Sequence, residues 1–136
     1  MPSPSPSSPS PPATVLLVDQ KQSTAELVKT YLRADGYEVD HTPDPSEALE
    51  YARRSQYGVV VTDLVMSGGM TGIDLYREIK SHDVNVHFVF MLVLSADVLR
   101  LMGSLERSDV IKKEPLSINE VIRKVHAAFA YYSFHE

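Results

Sequence analysis

The chain has 136 residues, no cysteine and a formal net charge of −5. This length suits one domain with its own core, and an apolar fraction of 43% is an ordinary globular value. The lack of cysteine excludes disulfides, thiolate metal sites and a cysteine nucleophile, and it makes the cytoplasm the expected location. We see no basic stripe that would bind nucleic acid directly and no apolar run long enough to cross a membrane.

The first segment, residues 1–12, alternates proline with serine and offers no side chain that could enter a core. This composition predicts a disordered, extended tail of polyproline II character. A linker role is favoured over a role as ligand for a proline-recognising domain. We therefore expect the folded domain to occupy residues 13–136.

From residue 14 onward, short apolar runs alternate with amphipathic stretches, which is typical of a parallel sheet covered on both faces. The first run, VLLV, leads directly to Asp19. Ser23 and Glu26 have the spacing of a capping box, which predicts a helix that ends before Gly36. These residues form the first strand and the first helix of the prediction.

The second and third strands are predicted at YEVDHT and YGVVVTDLVM. Between them, the pair Asp44-Pro45 provides an N-cap and a first helical residue for a helix that runs to about Arg54. The third strand carries Asp63 near its carboxyl end. Two predicted strands therefore end in acids.

The rest of the chain continues the alternation. TGIDLYREIK predicts a third helix, and VHFVFMLVLSAD predicts a long fourth strand that ends at Ser95. A short helix over residues 98–106 and a fifth strand that ends at Lys113 follow. Ser117 and Glu120 have capping-box spacing and predict the final helix.

Five strands and five helices in this order predict a three-layer α/β sandwich with a five-stranded parallel sheet. In such sheets, ligands bind beyond the carboxyl ends of the strands. Asp19, Asp63, Ser95 and Lys113 end four different strands and should therefore converge at one edge. A strand-end carboxylate can accept a phosphoryl group when nearby cations neutralise the developing charge, and Mg²⁺ is commonly held by further oxygens for this purpose.

The segments VLLVD, VVVTDLVMSGGMTGIDLYREIK, VLSAD and VIKKEPLS together resemble the receiver domains of two-component response regulators, the CheY-like superfamily, over residues 13–130. The resemblance implies a flavodoxin-like sheet of order 2-1-3-4-5 and a signalling domain rather than an enzyme. It implies that Asp63 is the phosphoacceptor and that Ser95 and Lys113 contact the phosphoryl group. It also implies a Mg²⁺ site formed by Asp19, Asp63, the residue after Asp19 and the carbonyl of Val65.

Three local departures from the family pattern concern this predicted site. Gln20 stands where the family has a second acid that ligates the metal directly, so the site loses one negative charge and attracts Mg²⁺ less strongly. Ser67 replaces a proline, with one extra residue before Gly72. Glu114 is inserted between Lys113 and Pro115. If the extra residue belongs elsewhere in the alignment, Glu114 would occupy the position of the family's lysine and the ion pair would be lost.

Two further departures concern the surface that signals to partners. The interval between Ser95 and Lys113 is about one helical turn shorter than usual in the family. Val110 stands where a switching Tyr or Phe often occurs. The short interval predicts a truncated or irregular fourth helix, and Val110 weakens the expectation of the usual aromatic switch.

Two of these residues also fit simpler roles. Ser95 could simply cap a helix, and Lys113 could be a solvated strand-end lysine. The five histidines lack metal-ligand spacing, and the loop DQKQSTAE lacks a glycine that would let backbone amides bind a flavin phosphate.

Two functional hypotheses remain open. One is a receiver that is phosphorylated by a sensor histidine kinase or phosphotransfer protein and signals to an output protein or fused effector domain. The other is a pseudo-receiver that binds partners without phosphorylation. The final segment AAFAYYSFHE contains several aromatic residues. We expect them to pack against a further domain or against a second copy of the chain in a homodimer.

Overall fold

The computed structural model describes residues 14–92, 109–113 and 116–135. The predicted tail, Ser95, the helix over residues 98–106 and Glu114 lie outside the described residues. The elements in chain order are β1 (Thr14–Val18), α1 (Gln22–Ala34), β2 (Glu38–Thr42), α2 (Pro45–Arg54), β3 (Val59–Asp63), α3 (Gly72–Lys80), β4 (His87–Leu92), β5 (Asp109–Lys112) and α4 (Ile118–His135).

The five strands form one parallel sheet in the order β2-β1-β3-β4-β5, so the predicted fold class and strand order are confirmed. Val18 pairs with Thr62 across β1 and β3, and Asp63 pairs with Met91 across β3 and β4. Lys112 pairs with Leu92 at the end of β5. This register brings the carboxyl ends of β1, β3 and β5 to one edge of the sheet.

Both faces of the central strands β1, β3 and β4 are buried, which explains why these strands are mostly apolar. Successive side chains alternate between the faces, so the central strands β1, β3 and β4 each supply both clusters. One cluster packs against α2 and α3 and includes Leu16, Val18, Val60, Phe88, Phe90, Leu75 and Ile79. The other packs against α1 and α4 and includes Val15, Leu17, Val61, Val89, Val28, Leu32, Val121 and Val125.

The start of α2 agrees with the prediction. The Asp44 carboxylate accepts a hydrogen bond from the Ser46 N–H at 2.9 Å, and Pro45 occupies the first helical position. At α4, the Ser117 hydroxyl accepts from the Glu120 N–H at 3.2 Å, which is one half of the predicted capping box. These short polar residues satisfy backbone donors that have no partner within their helices.

The capping box predicted at Ser23 and Glu26 is wrong. Helix α1 begins at Gln22, and its N-cap is Lys21, whose side chain makes no capping hydrogen bond. The reason is that Asp19 accepts from the Lys21 N–H at 2.9 Å and thereby shapes the turn that leads into the helix. A complete capping box occurs instead at α3, between Thr71 and Asp74.

None of the helices within residues 14–92, 109–113 and 116–135 has the length and apolar character needed to span a membrane.

Candidate functional site

Asp63 is the last residue of β3 and is almost completely buried, with 5% of its surface exposed. Its Oδ1 accepts a hydrogen bond from Lys113 Nζ at 2.6 Å. Its Oδ2 accepts from the backbone N–H of Gln20 at 3.1 Å. The carboxylate is therefore held by one cation and one main-chain donor at the edge where three strands end.

Asp19 directly follows β1 and is fully buried. Its Oδ1 accepts from Lys113 Nζ at 2.8 Å and from the Lys21 N–H at 2.9 Å. Its Oδ2 is buried and has no hydrogen-bond partner among the described residues. His41, on the neighbouring strand, lies with Nε2 3.1 Å from the Asp19 backbone oxygen.

Lys113 follows β5 and joins the two acids, with 13% of its side chain exposed. Its backbone N–H donates to the Leu92 carbonyl at 2.7 Å, which extends the β4–β5 pairing by one residue and fixes the start of the side chain. Burial lowers the pKa of Lys113, but hydrogen bonds and charges from Asp19 and Asp63 outweigh this effect and leave the pKa raised. The ammonium is therefore firmly protonated.

Burial raises the pKa of Asp63 to about 6. The hydrogen bond from Lys113 opposes this rise, the charge of Asp19 reinforces it, and the Gln20 N–H opposes it. At neutral pH the carboxylate is still mostly ionised and carries the lone pairs that a nucleophile requires.

The amide of Gln20 contacts the loop between β3 and α3. Its Oε1 accepts from the Ser67 N–H at 2.9 Å and from the Ser67 hydroxyl at 3.1 Å. Its Nε2 donates to the Ser67 carbonyl at 3.2 Å. The next two residues, Gly68 and Gly69, have φ angles of +98° and +91°, which glycine adopts without steric cost.

Gly72 brings the start of α3 against the end of β3. A Cβ atom at this position would lie 2.4 Å from the Asp63 carbonyl oxygen and 3.0 Å from Leu64 Cα. The Gly72 N–H also donates to the Leu64 carbonyl at 2.8 Å. Only a residue without a side chain fits this approach, which fixes the loop that follows Asp63.

The structure brings together four of the residues predicted from the sequence, namely Asp19, Gln20, Asp63 and Lys113. Val65 lies in the adjoining loop with 58% of its surface exposed, and Ser95 lies outside the described residues. Sequence reasoning singled out Ser67 as a departure but missed it as the partner of Gln20. The only sequence signal for this contact was an amide, Gln20, in one loop and a serine, Ser67, in the neighbouring loop.

Mg²⁺ prefers a near-octahedral set of oxygens. Here both Asp63 oxygens accept from protein donors, and the amide oxygen of Gln20 accepts twice from Ser67. Among the described residues, no group of three or more His, Cys, Asp or Glu side chains could hold a metal ion. Asp19 Oδ2 is one unpaired buried oxygen and cannot by itself form a site. In this arrangement the residues do not fit a directly coordinated Mg²⁺ ion.

Residues 15–126 match the family described as "Response regulator receiver domain". The probable transcriptional regulatory protein TcrX of Mycobacterium tuberculosis is 33% identical over 116 residues, which are 85% of this chain and 49% of TcrX. The DNA-binding response regulator MtrA of Mycolicibacterium smegmatis is 29% identical over 113 residues, which are 83% of this chain and 49% of MtrA. The chain thus spans about half the length of these curated relatives.

Solved structures agree with this match. The receiver domain of Francisella response regulator 1452 superposes with a TM-score of 0.75 at 26% identity, covering 87% of this chain and 97% of that one. A response regulator receiver domain protein from Clostridium thermocellum has a TM-score of 0.80 at 20% identity, covers 90% of this chain and 98% of that one, and supports the fold. The family match over most of the chain, together with the convergent strand-end residues, establishes that this chain belongs to the response regulator receiver domain family.

Proposed function

We propose that this receiver domain accepts a phosphoryl group on Asp63 from a histidine kinase or a phosphotransfer protein. The observation that carries the proposal is the Lys113 ammonium, 2.6 Å from the Asp63 carboxylate at the carboxyl edge of the sheet. A carboxylate with an adjacent fixed cation has the two features that phosphoryl acceptance needs, a nucleophilic oxygen and compensation for negative charge.

In the proposed step, an Asp63 oxygen attacks the phosphorus of a phosphohistidine. The new O–P bond forms as the P–N bond breaks, and the electron pair of that bond remains on the departing imidazole nitrogen. The products are an acyl phosphate on Asp63 and a free histidine. Lys113 lies where it would stabilise charge on the transferred oxygens, and the Gln20 N–H orients the acceptor carboxylate.

Receiver domains generally use Mg²⁺ for phosphorylation, but we assign no coordinated Mg²⁺ ion to the residues of this site. The proposed acceptor chemistry therefore rests on Asp63, Lys113 and the backbone at Gln20. Asp19 Oδ1 also accepts a hydrogen bond from the Lys113 ammonium, at 2.8 Å, and thereby helps to fix the ammonium beside Asp63.

The proposed output is a change in partner binding. Two relatives have names that describe a transcriptional regulatory protein and a DNA-binding response regulator, and this chain covers about half of each. We infer that the receiver acts on an output protein or a fused effector domain. Any DNA contact would belong to that partner, because the present chain has a net charge of −5.

A second candidate is a pseudo-receiver that binds a partner without phosphorylation. The observation that favours it is the engagement of the Gln20 amide oxygen by Ser67, which removes the oxygen expected to ligate the metal. In this alternative, Asp63 and Lys113 form a structural ion pair. The two candidates differ in whether Asp63 is modified.

The test is phosphorylation of the purified protein by acetyl phosphate, with and without Mg²⁺, followed by intact mass spectrometry. Acceptance adds about 80 Da, the mass of one phosphoryl group. We expect this species in the wild type and in the control variant Asp83→Asn, and its loss in Asp63→Asn. A wild type that stays unmodified under conditions that modify a reference receiver would contradict the proposal and favour the pseudo-receiver.

A further inference from the structure

We propose that Gln20 and Ser67 form a metal-independent clasp that holds together the two loops beside Asp63, in place of a bridging divalent cation. The clasp consists of the three hydrogen bonds between the Gln20 amide and the N–H, hydroxyl and carbonyl of Ser67. It connects the loop after β1 with the loop after β3, which are 47 positions apart in the sequence.

The donor and acceptor pattern of the clasp requires an amide. Oε1 accepts and Nε2 donates, so the side chain pairs with both polar groups of the Ser67 backbone. A carboxylate at position 20 has no donor and would face the Ser67 carbonyl with a like partial charge. Replacement of Gln20 by an acid therefore breaks one bond of the clasp and adds repulsion.

The local backbone of the β3–α3 loop is built for this contact. Gly68 and Gly69 both have φ angles in the left-handed region, so the chain turns sharply directly after Ser67. Both polar backbone groups of Ser67 thereby face the same amide. A proline at position 67 would have no N–H to donate to Oε1.

Charge balance points the same way. At this edge of the sheet, one ammonium, Lys113, contacts two carboxylates, Asp19 and Asp63. A third acid at position 20 would leave one cation among three anions, and a divalent cation would then be required to compensate. With glutamine there, the loops are linked by hydrogen bonds and the lysine supplies the positive charge.

The test is thermal unfolding and amide NMR of the full chain, in EDTA and in about 20 mM Mg²⁺. Ligand that binds the folded state raises the melting temperature. In the wild type we expect no Mg²⁺-dependent shift, and in EDTA we expect slowed hydrogen exchange of the Ser67 N–H. Gln20→Ala should melt about 2–5 °C lower than the wild type, since a few partly exposed hydrogen bonds are lost, and should gain no Mg²⁺ response.

Gln20→Asp should also melt lower in EDTA, but Mg²⁺ should raise its melting temperature by about 3 °C or more, with saturable shifts at Asp19 and Asp63. Gln56→Asp, which places the same new charge on an exposed loop, is the matched control and should not respond. Ser67→Ala, which keeps the backbone bonds, should lose less stability than Gln20→Ala.

Three results would overturn the proposal: a saturable Mg²⁺ shift in the wild type, rapid exchange of the Ser67 N–H in EDTA, or a Gln20→Asp variant that ignores Mg²⁺. None of these measurements involves phosphorylation. Failure of the clasp and failure of Asp63 as an acceptor are therefore seen in separate experiments.

Discussion

The Lys113 ammonium lies 2.6 Å from the Asp63 carboxylate, although 50 positions separate the two residues in the sequence. The contact connects the end of β5 with the end of β3 across the intervening strand β4. Both side chains are largely buried, so Asp63 depends on Lys113 for charge compensation, whereas Lys113 also pairs with Asp19.

Lys113→Met should lower the free energy of unfolding by about 3 kcal/mol at pH 7, because it leaves two buried carboxylates without their cation. Urea denaturation measures this change. The loss should be smaller in an Asp63→Asn background, where one of the carboxylates is already neutral. Equal losses in both backgrounds would contradict a direct energetic coupling between Lys113 and Asp63.

Asp63→Asn should stabilise the domain at pH 7, by on the order of 2 kcal/mol. The pKa of Asp63 is raised to about 6 in the folded state from an ordinary value of 3.8. Between these values the folded state binds the proton more tightly than the unfolded state, so the stability contribution of Asp63 falls as pH rises through this window.

The measurement is urea denaturation of the wild type and Asp63→Asn at pH 4, 5, 6 and 7, with the exposed substitution Glu78→Gln as control. The advantage of Asp63→Asn over the wild type should grow with pH and level off above about pH 6. A constant difference across the series would show that the acidity of Asp63 is not perturbed by folding.

Gly72→Ala should destabilise the domain by about 2–3 kcal/mol, since its Cβ would lie 2.4 Å from the Asp63 carbonyl oxygen and the backbone would have to shift. The comparison is Gly36→Ala, where φ is +99° but no atom lies within 4 Å of the new Cβ. That variant should lose about 1 kcal/mol from backbone strain alone. Melting curves of the two variants would reveal whether steric overlap dominates.

Tyr57→Phe should cost about 1 kcal/mol, because the Tyr57 hydroxyl donates to Asp40 Oδ2 at 2.6 Å. Burial raises the pKa of Tyr57, and the hydrogen bond to Asp40 adds to this rise. Spectrophotometric titration of the wild type should therefore show a tyrosine with a strongly raised pKa that the variant lacks, whereas the late ionisation of Tyr37, whose pKa burial also raises, should remain in both. Tyr51→Phe, which removes a hydroxyl from a half-buried neighbour, is the control.

The sequence was sufficient to predict the sheet and the position of the acids. Strands buried on both faces are continuously apolar, so the polar residues that end them stand out, as Asp19, Asp63 and Lys113 do. The strand order places these ends side by side, and their contacts follow from the topology.

Sequence patterns did not predict which of several competing local hydrogen bonds forms. Ser23 and Glu26 have capping-box spacing, but Asp19 already shapes the turn by accepting from the Lys21 N–H, and the helix starts before them. The Gln20 contact with Ser67 was missed for a different reason. It joins two loops that are far apart in sequence, and its geometry depends on two left-handed glycines.

Position 20 serves Asp63 through its main chain and Ser67 through its side chain. Every residue except proline supplies the backbone N–H that donates to Asp63 Oδ2. Evolution can therefore exchange the side chain at position 20 between amide and acid, and so change how the loops are held, without removing the donor that orients the acceptor carboxylate.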